Sequence, residues 1–225
     1  MQKISLTLSL IFCLTGAAAA LPDKLGCKGD LTNPKVERVL IADRAAGVVQ
    51  RISKHRLTVQ TNNGPKDFYD EPPYDEQLAG VHHYFCDRRE GIVLLMMNNQ
   101  TLFTGLLVNE ATGKITPGGE SVWLSQDRRA YLASEQPDGM DGNVWSVYSI
   151  DGRKSWSGYN FIEGDGATLT AEAYLSDPVW TANGELTAEA TCARNVDKKW
   201  QVKLVKKAGV WDWKPRKFCG YLRPG

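Results

Sequence analysis

Apolar and polar residues alternate with a period of two along many short segments of this chain. Residues 56–61 (RLTVQT) show this alternation, and Asn62-Asn63-Gly64 behind them is a typical hairpin turn. Between 80 and 215 a long helical pattern is missing, and Gly-containing turns separate the candidate strands. The pattern therefore predicts an all-β fold, with strands at 66–69, 81–86, 92–97, 102–109, 121–125, 129–135, 144–150, 155–161, 179–182, 186–192, 199–205 and 210–214.

The segment 35–52 fits a helix and strands equally well. Asn33-Pro34 is a typical helix start, because Asn caps the first turn and Pro is tolerated at the first helical position. Apolar residues then recur at near-helical spacing, but apolar pairs and triplets within the segment suit strands as well. Both interpretations stay open at this point.

Tryptophan positions indicate an internal repeat. Each repeat unit has the strand and turn signals of a four-stranded antiparallel meander, and such units must stack radially or pair as a sandwich. We therefore expect a propeller-like array of about four to five units, some degenerate, with a twisted β-sandwich as the alternative. We expect the repeated Trp side chains in the core, the alternative being a platform that stacks on carbohydrate. Six of the seven tryptophans form three pairs that are 55–57 residues apart: Trp123 and Trp180, Trp145 and Trp200, Trp156 and Trp211.

Four segments carry the pattern of the repeat units: LLVNEATGK (106–114), VWLSQDRRAYLASE (122–135), NVWSVYSIDGRKSW (143–156) and DPVWTANGEL (177–186). Together they resemble the blade pattern of exported bacterial β-propeller-like proteins. The resemblance covers 106–187, under half of the chain, and a similar blade occurs in periplasmic immunity proteins that plug peptidoglycan-cleaving amidases delivered by type VI secretion. It implies a blade fold without specifying a partner. Arg128 stands where related blades carry Gly in a Ser-x-Asp-Gly-Arg/Lys turn, so we expect altered turn geometry.

The first twenty residues have the pattern of a secretory signal peptide. Lys3 precedes an apolar stretch, and Ala17 to Ala20 form a small-residue cleavage site. We predict cleavage after Ala20, a periplasmic location and a single all-β repeat domain over 21–225, with units near 80–119, 120–162 and 178–215. The rest of the chain carries no apolar stretch long enough for a membrane span.

Charge and cysteine content narrow the class of protein further. With 27 Lys+Arg against 26 Asp+Glu and 42% hydrophobic residues, the chain resembles neither a disordered protein nor a nucleic-acid binder. Four cysteines follow the predicted leader, and an even number in an oxidising compartment predicts two disulfides. We favour the pairing of Cys192 with Cys219, because both fall in the last antiparallel unit, which leaves Cys27 and Cys86.

No catalytic constellation stands out. The nucleophile-elbow, zinc-protease and nucleotide-binding motifs do not occur, so we assign no catalytic residue, metal ligand or cofactor. Neighbouring strand residues point to opposite faces, so we expect one of His82 and His83 inside and the other outside. The Asp- and Gly-rich stretch 138–143 resembles a calcium loop only loosely, and we interpret it as a hairpin loop.

Segment 67–76 (DFYDEPPYDE) is the most informative surface feature. It combines five carboxylates, three aromatic residues and two prolines. Tyr is a favoured interface anchor, carboxylates steer a basic partner, and prolines lower the entropy cost of binding. A solvated acidic loop is the alternative. We therefore predict a partner-binding set of Tyr69, Asp70, Glu71, Tyr74, Asp75 and Glu76.

These observations favour a non-enzymatic periplasmic protein that binds another protein. In its sharpest form the hypothesis is an inhibitor or immunity protein that occludes the cleft of a cell-wall hydrolase. The alternatives are a carbohydrate (peptidoglycan)-binding module or hydrolase, and an envelope assembly factor. We expect no nucleic-acid partner.

Overall fold

A computed structural model describes residues 24–74, 79–99, 102–136, 143–164, 171–217 and 219. The predicted signal peptide, most of the calcium-loop candidate (138–142), and the predicted partner-binding residues Asp75 and Glu76 lie outside these residues. Across the described ranges the fold is mostly β, as predicted, with one helix packed against antiparallel sheets. No helix in the same ranges combines the length and apolar character that crossing a bilayer requires.

Four antiparallel sheets make up the described part of the chain. Sheet 1 contains β2 (Val49–Ser53), β3 (Arg56–Val59) and β4 (Lys66–Tyr69). Sheet 2 contains β5 (Val81–Arg89), β6 (Ile92–Asn99), β7 (Leu102–Asn109) and β8 (Ile115–Pro117). Sheet 3 contains β1 (Lys24–Gly26), β9 (Ser121–Leu124), β10 (Ala130–Glu135), β11 (Val144–Ser149) and β12 (Lys154–Tyr159). Sheet 4 contains β13 (Phe161–Glu163), β14 (Ala171–Trp180), β15 (Leu186–Cys192), β16 (Asn195–Lys207) and β17 (Val210–Lys214).

Within each sheet, the strands lie side by side in the order of the chain, except for β1. Strand β1 pairs with β9, which places Lys24 opposite Trp123. The other strands of each sheet pair with their neighbours in sequence. Three of the four sheets are thus simple meanders, and sheet 3 alone recruits a strand from far away in the chain.

The segment that the sequence left open is helical in its first half and extended in its second. Helix α1 (Pro34–Arg44) begins behind Asn33, whose side chain accepts a hydrogen bond from the N–H of Lys35. It ends at Ala45, and β2 starts four residues later. The helix prediction therefore holds for the first part of the segment, and the strand prediction holds for its last part.

Strand β14 is longer than the predicted strand 179–182. The sequence around Asp177-Pro178 favours a break, because proline cannot donate to a ladder. The strand instead passes this point by a bulge, where the register shifts between Ser176 and Val179 and Asp177 adopts φ 49°. A bulge tolerates proline within a strand, which explains the missed start of β14.

All seven tryptophans pack into one core cluster between sheets 3 and 4, which confirms the predicted core role. Trp145 and Trp213 are buried and meet edge-to-face at 6.0 Å between ring centroids. The indole N–H of Trp180 donates to the carbonyl of Trp123 over 2.9 Å and links the two sheets. The three Trp pairs occupy corresponding strands of the two meanders: β9 and β14, β11 and β16, β12 and β17.

The four described cysteines form two pairs, as expected. Cys192 pairs with Cys219, the favoured pairing, and Cys27 pairs with Cys86. The first pair fastens the C-terminal segment to the end of β15, and the second fastens the segment after β1 to β5. Two disulfides fit a protein that is exported to an oxidising compartment.

The turn that carries Arg128 keeps the backbone conformation that glycine adopts easily. Arg128 has φ 58°, in the left-handed region that glycine adopts without strain. Its guanidinium pairs with the carboxylate of Glu90, which also has a positive φ of 48°. The protein thus holds a strained residue at a position where glycine is unstrained.

We predict that Arg128→Gly raises the free energy of unfolding by about 0.5–1 kcal/mol, because relief of left-handed strain outweighs a partly exposed ion pair. Chemical denaturation would measure the change. The control is Arg129→Gly, since Arg129 is exposed and its φ is not positive, and we expect it to lower stability slightly. Equal losses in both variants would contradict the strain argument.

Candidate functional site

A groove of about 1040 Å³ lies between α1, the β2–β3 hairpin and β5. We call it the α1–β2 groove. Helix α1 contributes Glu37 and Arg38, the hairpin contributes 49–55, and β5 contributes His82 and Tyr84. Asp70 and Tyr74, from the acidic aromatic segment, close its remaining side.

An ion pair at the base of the groove joins three elements. The Arg51 guanidinium donates from Nε and Nη2 to the two carboxylate oxygens of Glu37, over 2.9 and 2.6 Å. The same Nη2 donates to the carbonyl of His83 over 2.6 Å, and the N–H of Phe85 donates to Glu37 over 2.9 Å. The Glu37 side chain is only 6% exposed, so this charge pair is part of the interior. Helix α1, sheet 1 and β5 are thereby connected through one carboxylate.

Asp70 lies between two imidazoles. Its side chain is 7% exposed, accepts the backbone N–H of His83 over 2.9 Å, and lies 3.6 Å from His83 Nδ1 and 3.7 Å from His55 Nδ1. Burial raises the pKa of Asp70, but the nearby His83, whose backbone N–H donates to the carboxylate, and the charge of Arg51 outweigh burial and hold the pKa below its usual value. The carboxylate is therefore ionised at neutral pH and lies beside both imidazoles.

The two adjacent histidines of β5 are both buried, so the expectation that one of them points outward is wrong. His83 packs on Phe68, with ring centroids 5.6 Å apart, and His82 lies beside Tyr84. The Nε2 atom of His82 is 3.0 Å from the carbonyl of Ala79. Both residues are inside because elements that sequence periodicity does not reveal cover both faces of β5.

The predicted partner-binding residues separate into two groups. Tyr69 and Glu71 are exposed outside the groove, and the backbone of Glu71 bridges to Val81. Tyr74 is exposed at the groove and stacks on His55, with 4.0 Å between ring centroids. Asp70 does not present its carboxylate at the surface, contrary to the role we expected for it. Among the described residues of the predicted set, Tyr74 and Asp70 are therefore the ones that the fold brings into the groove.

The acidic segment carries less free charge than its composition indicates. Asp67 accepts hydrogen bonds from Arg56 over 2.8 and 3.2 Å, and this pairing lowers the pKa of Asp67. Asp70 is used internally, as described above. Among the described carboxylates of the segment, Glu71 has the greatest freedom to meet a partner, since it is exposed.

Sequence reasoning missed Glu37, Arg51 and His55. Glu37 and Arg51 are 14 residues apart, on a helix and a strand, so no local spacing connects them. The sequence around Arg51 gives no signal either, because Gln50 and Arg51 form an ordinary polar pair between Val49 and Ile52. Among the residues that the structure describes, no group of three or more His, Cys, Asp or Glu side chains is placed to hold a metal ion.

No family model, curated protein or solved structure matches this chain. The chemistry of the groove and its rim is therefore what indicates function.

We predict that Glu37→Gln lowers the free energy of unfolding by about 2–3 kcal/mol, because Arg51 is left largely buried without its counter-charge. In an Arg51→Met background the same substitution should cost much less, and chemical denaturation of the double-mutant cycle would measure the coupling. Glu163→Gln, at an exposed position, is the control. Additive effects of the two substitutions would contradict the proposed ion pair.

We also predict a pH dependence from Asp70. Its pKa is lowered on folding from an ordinary value of 3.8, so its contribution to stability is complete above that value and is lost as the pH falls below it. The difference in unfolding free energy between wild type and Asp70→Asn should therefore shrink as the pH falls from 5 towards 3. Chemical denaturation at fixed temperature would measure it. A difference that stays constant over this range would show that Asp70 titrates normally.

Proposed function

We propose that this chain is a periplasmic protein-binding module that engages its partner through the α1–β2 groove and its exposed rim. The observation that carries the proposal is a preformed concave surface with exposed apolar side chains beside it. Ile52 is 50% exposed and Tyr74 is 42% exposed, and both line the groove. Exposed aromatic residues at a formed pocket are typical anchors of protein interfaces.

The rim is held in place before any partner arrives. Tyr74 stacks on His55, His55 lies against Asp70, and Asp70 is hydrogen-bonded to the backbone of β5. Pro72 and Pro73 restrict the chain just before Tyr74. A preorganised rim loses little conformational entropy on binding, which favours affinity for a given contact area.

Within this proposal the partner is a cell-wall hydrolase that the chain inhibits. The predicted signal peptide, the two disulfides and the resemblance of 106–187 to blades of periplasmic immunity proteins support this assignment. Tyr69 and Glu71 would extend the contact beyond the groove. The predicted residues Asp75 and Glu76 stay part of the proposed partner-binding set. We also propose that the sheets are degenerate blades of a propeller-like array, which the matched Trp positions of sheets 3 and 4 favour.

Carbohydrate binding is the competing function. The packing of the tryptophans argues against a tryptophan platform on which sugar rings would stack. All seven tryptophans belong to one core cluster, in which four are buried and three are partly buried, so they offer poor platforms for sugar rings. A glycan would have to stack on Tyr74 at the groove instead.

Affinity capture tests the proposal directly. The secreted protein with its disulfides intact would be immobilised and exposed to candidate cell-wall hydrolases at about 0.3 M salt, where weak charge contacts are screened. We expect one hydrolase to bind stoichiometrically and to lose its activity. A saturable response to peptidoglycan fragments without any protein partner would overturn the proposal in favour of carbohydrate binding.

For the captured hydrolase, Tyr74→Ala should weaken binding by at least about 1–2 kcal/mol, because it removes the exposed anchor. Titration calorimetry would measure the affinity. Tyr174→Ala is a matched control, since Tyr174 is 54% exposed but lies on β14 of sheet 4. Unchanged affinity of the Tyr74 variant would remove the groove rim from the interface.

A further inference from the structure

We infer that a second, smaller pocket, away from the α1–β2 groove, binds a carboxylate that carries one phenyl- or leucine-sized apolar group. The pocket has a volume of about 170 Å³ and lies between β6, β7 and β8 of sheet 2 and the turn that follows β11 of sheet 3. We call it the β8 pocket. The two turns that border it, 109–115 and 149–154, lie wholly within the described part of the chain.

The floor of the β8 pocket is apolar. Ile92 and Leu107 are 8% and 3% exposed, and the partly buried Ile150 packs on the same core cluster from sheet 3. A cavity of about 150 Å³ lined by such side chains holds a benzene molecule. Drug-sized ligands need pockets of about 300 Å³ or more. The volume of the β8 pocket therefore suits one apolar side chain or ring and excludes a larger molecule.

The rim of the pocket offers a cation and an amide donor. Lys114 is exposed, and among the described residues no carboxylate lies within ion-pair distance of its ammonium group. Asn109 lines the same rim, and its Oδ1 accepts the N–H of Thr112 over 3.0 Å, which leaves the amide N–H groups of Asn109 for a ligand. An ammonium group and amide N–H groups are donors that suit a carboxylate.

The carboxylates near the rim already have partners. Asp151, which lines the opposite side of the pocket, lies 3.4 Å from the guanidinium of Arg153. Glu110 accepts two hydrogen bonds from Arg88, over 2.6 and 2.9 Å. Because both carboxylates are balanced by arginines, the charge of Lys114 makes the rim positive overall, which favours an anionic ligand over a cationic one.

Backbone hydrogen bonds hold both sides of the rim in place before a ligand arrives. The N–H of Asn109 donates to the carbonyl of Lys114 over 2.9 Å, and the N–H of Gly113 donates to the carbonyl of Asn109 over 2.7 Å. On the other side, the N–H of Gly152 donates to the carbonyl of Ser149 over 2.8 Å. A preformed pocket loses little conformational entropy on binding, which favours even a small ligand.

A two-dimensional NMR titration of the full secreted protein tests the inference with phenylpropionate, phenylpropanamide and propionate. We expect phenylpropionate to bind saturably and to shift the backbone amides of 109–115 and 149–152. Propionate should bind at least about tenfold more weakly, because it lacks the ring that contacts the apolar floor. The uncharged phenylpropanamide should bind about threefold more weakly than the acid, as expected for loss of a partly exposed ion pair.

Lys114→Met should remove the difference between the acid and the amide while binding of the amide stays unchanged. The matched control is Lys207→Met, which removes the same charge from an exposed position at the end of β16 and should keep the difference. Thermal melting would show that both variants are folded. Shifts that do not saturate, shifts confined to residues outside the two turns, or an equal loss in both variants would overturn the inference.

The carboxylate could be a free acid or the C-terminal residue of a peptide chain, and a further titration distinguishes these sources. The probe is a tripeptide of two alanines and a C-terminal phenylalanine, with its terminus free or amidated. If the free tripeptide binds more tightly than phenylpropionate, the ligand is a chain end, and if it binds more weakly, the ligand is a small acid. Because the β8 pocket is separate from the α1–β2 groove, failure of this inference leaves the proposed function unchanged.

Discussion

Beyond one backbone bridge between Val81 and Glu71, the outer edge of β5 is hydrogen-bonded by side chains, and the groove depends on this arrangement. Asp70 accepts the N–H of His83, Arg51 donates to its carbonyl, and Glu37 accepts the N–H of Phe85. An uncovered edge would be a template for unwanted strand pairing. Charged groups that satisfy it also anchor α1 and sheet 1 at a distance from β5, and the space left between these elements is the groove.

A different interaction, aromatic packing, holds sheets 3 and 4 together. The tryptophan cluster joins sheets 3 and 4 through contacts between aromatic side chains. The hydrogen bond from the indole of Trp180 to the carbonyl of Trp123 also links the two sheets. Strand β5 is joined to the segment after β1 of sheet 3 by the Cys27–Cys86 disulfide, and to α1 by the ion pair of Arg44 with Asp87. The binding surface and the aromatic core are thus built by different forces, which allows the groove to vary without disturbing the core.

Alternation of apolar and polar residues predicted most strands, because a half-buried strand has a period that the sequence shows directly. It failed at β14, where a bulge carries Pro178 through the sheet, and at His82 and His83, where α1 and the acidic segment add unforeseen cover. Composition found Tyr74, since local clusters of aromatic residues are visible in one segment. It did not find the pair of Glu37 and Arg51, because an ion pair between a helix and a strand has no characteristic spacing in the sequence.

The pairing of β1 with β9 has a consequence for the order of assembly. Lys24 comes near the start of the chain, and its partner Trp123 follows only after sheets 1 and 2 have been specified. A chain that is delivered from its N-terminus, by a ribosome or through a translocation channel, therefore carries β1 without its partner strand until β9 has emerged. Such long sequence separation slows folding, so the topology itself delays completion of sheet 3 while the chain is still being delivered.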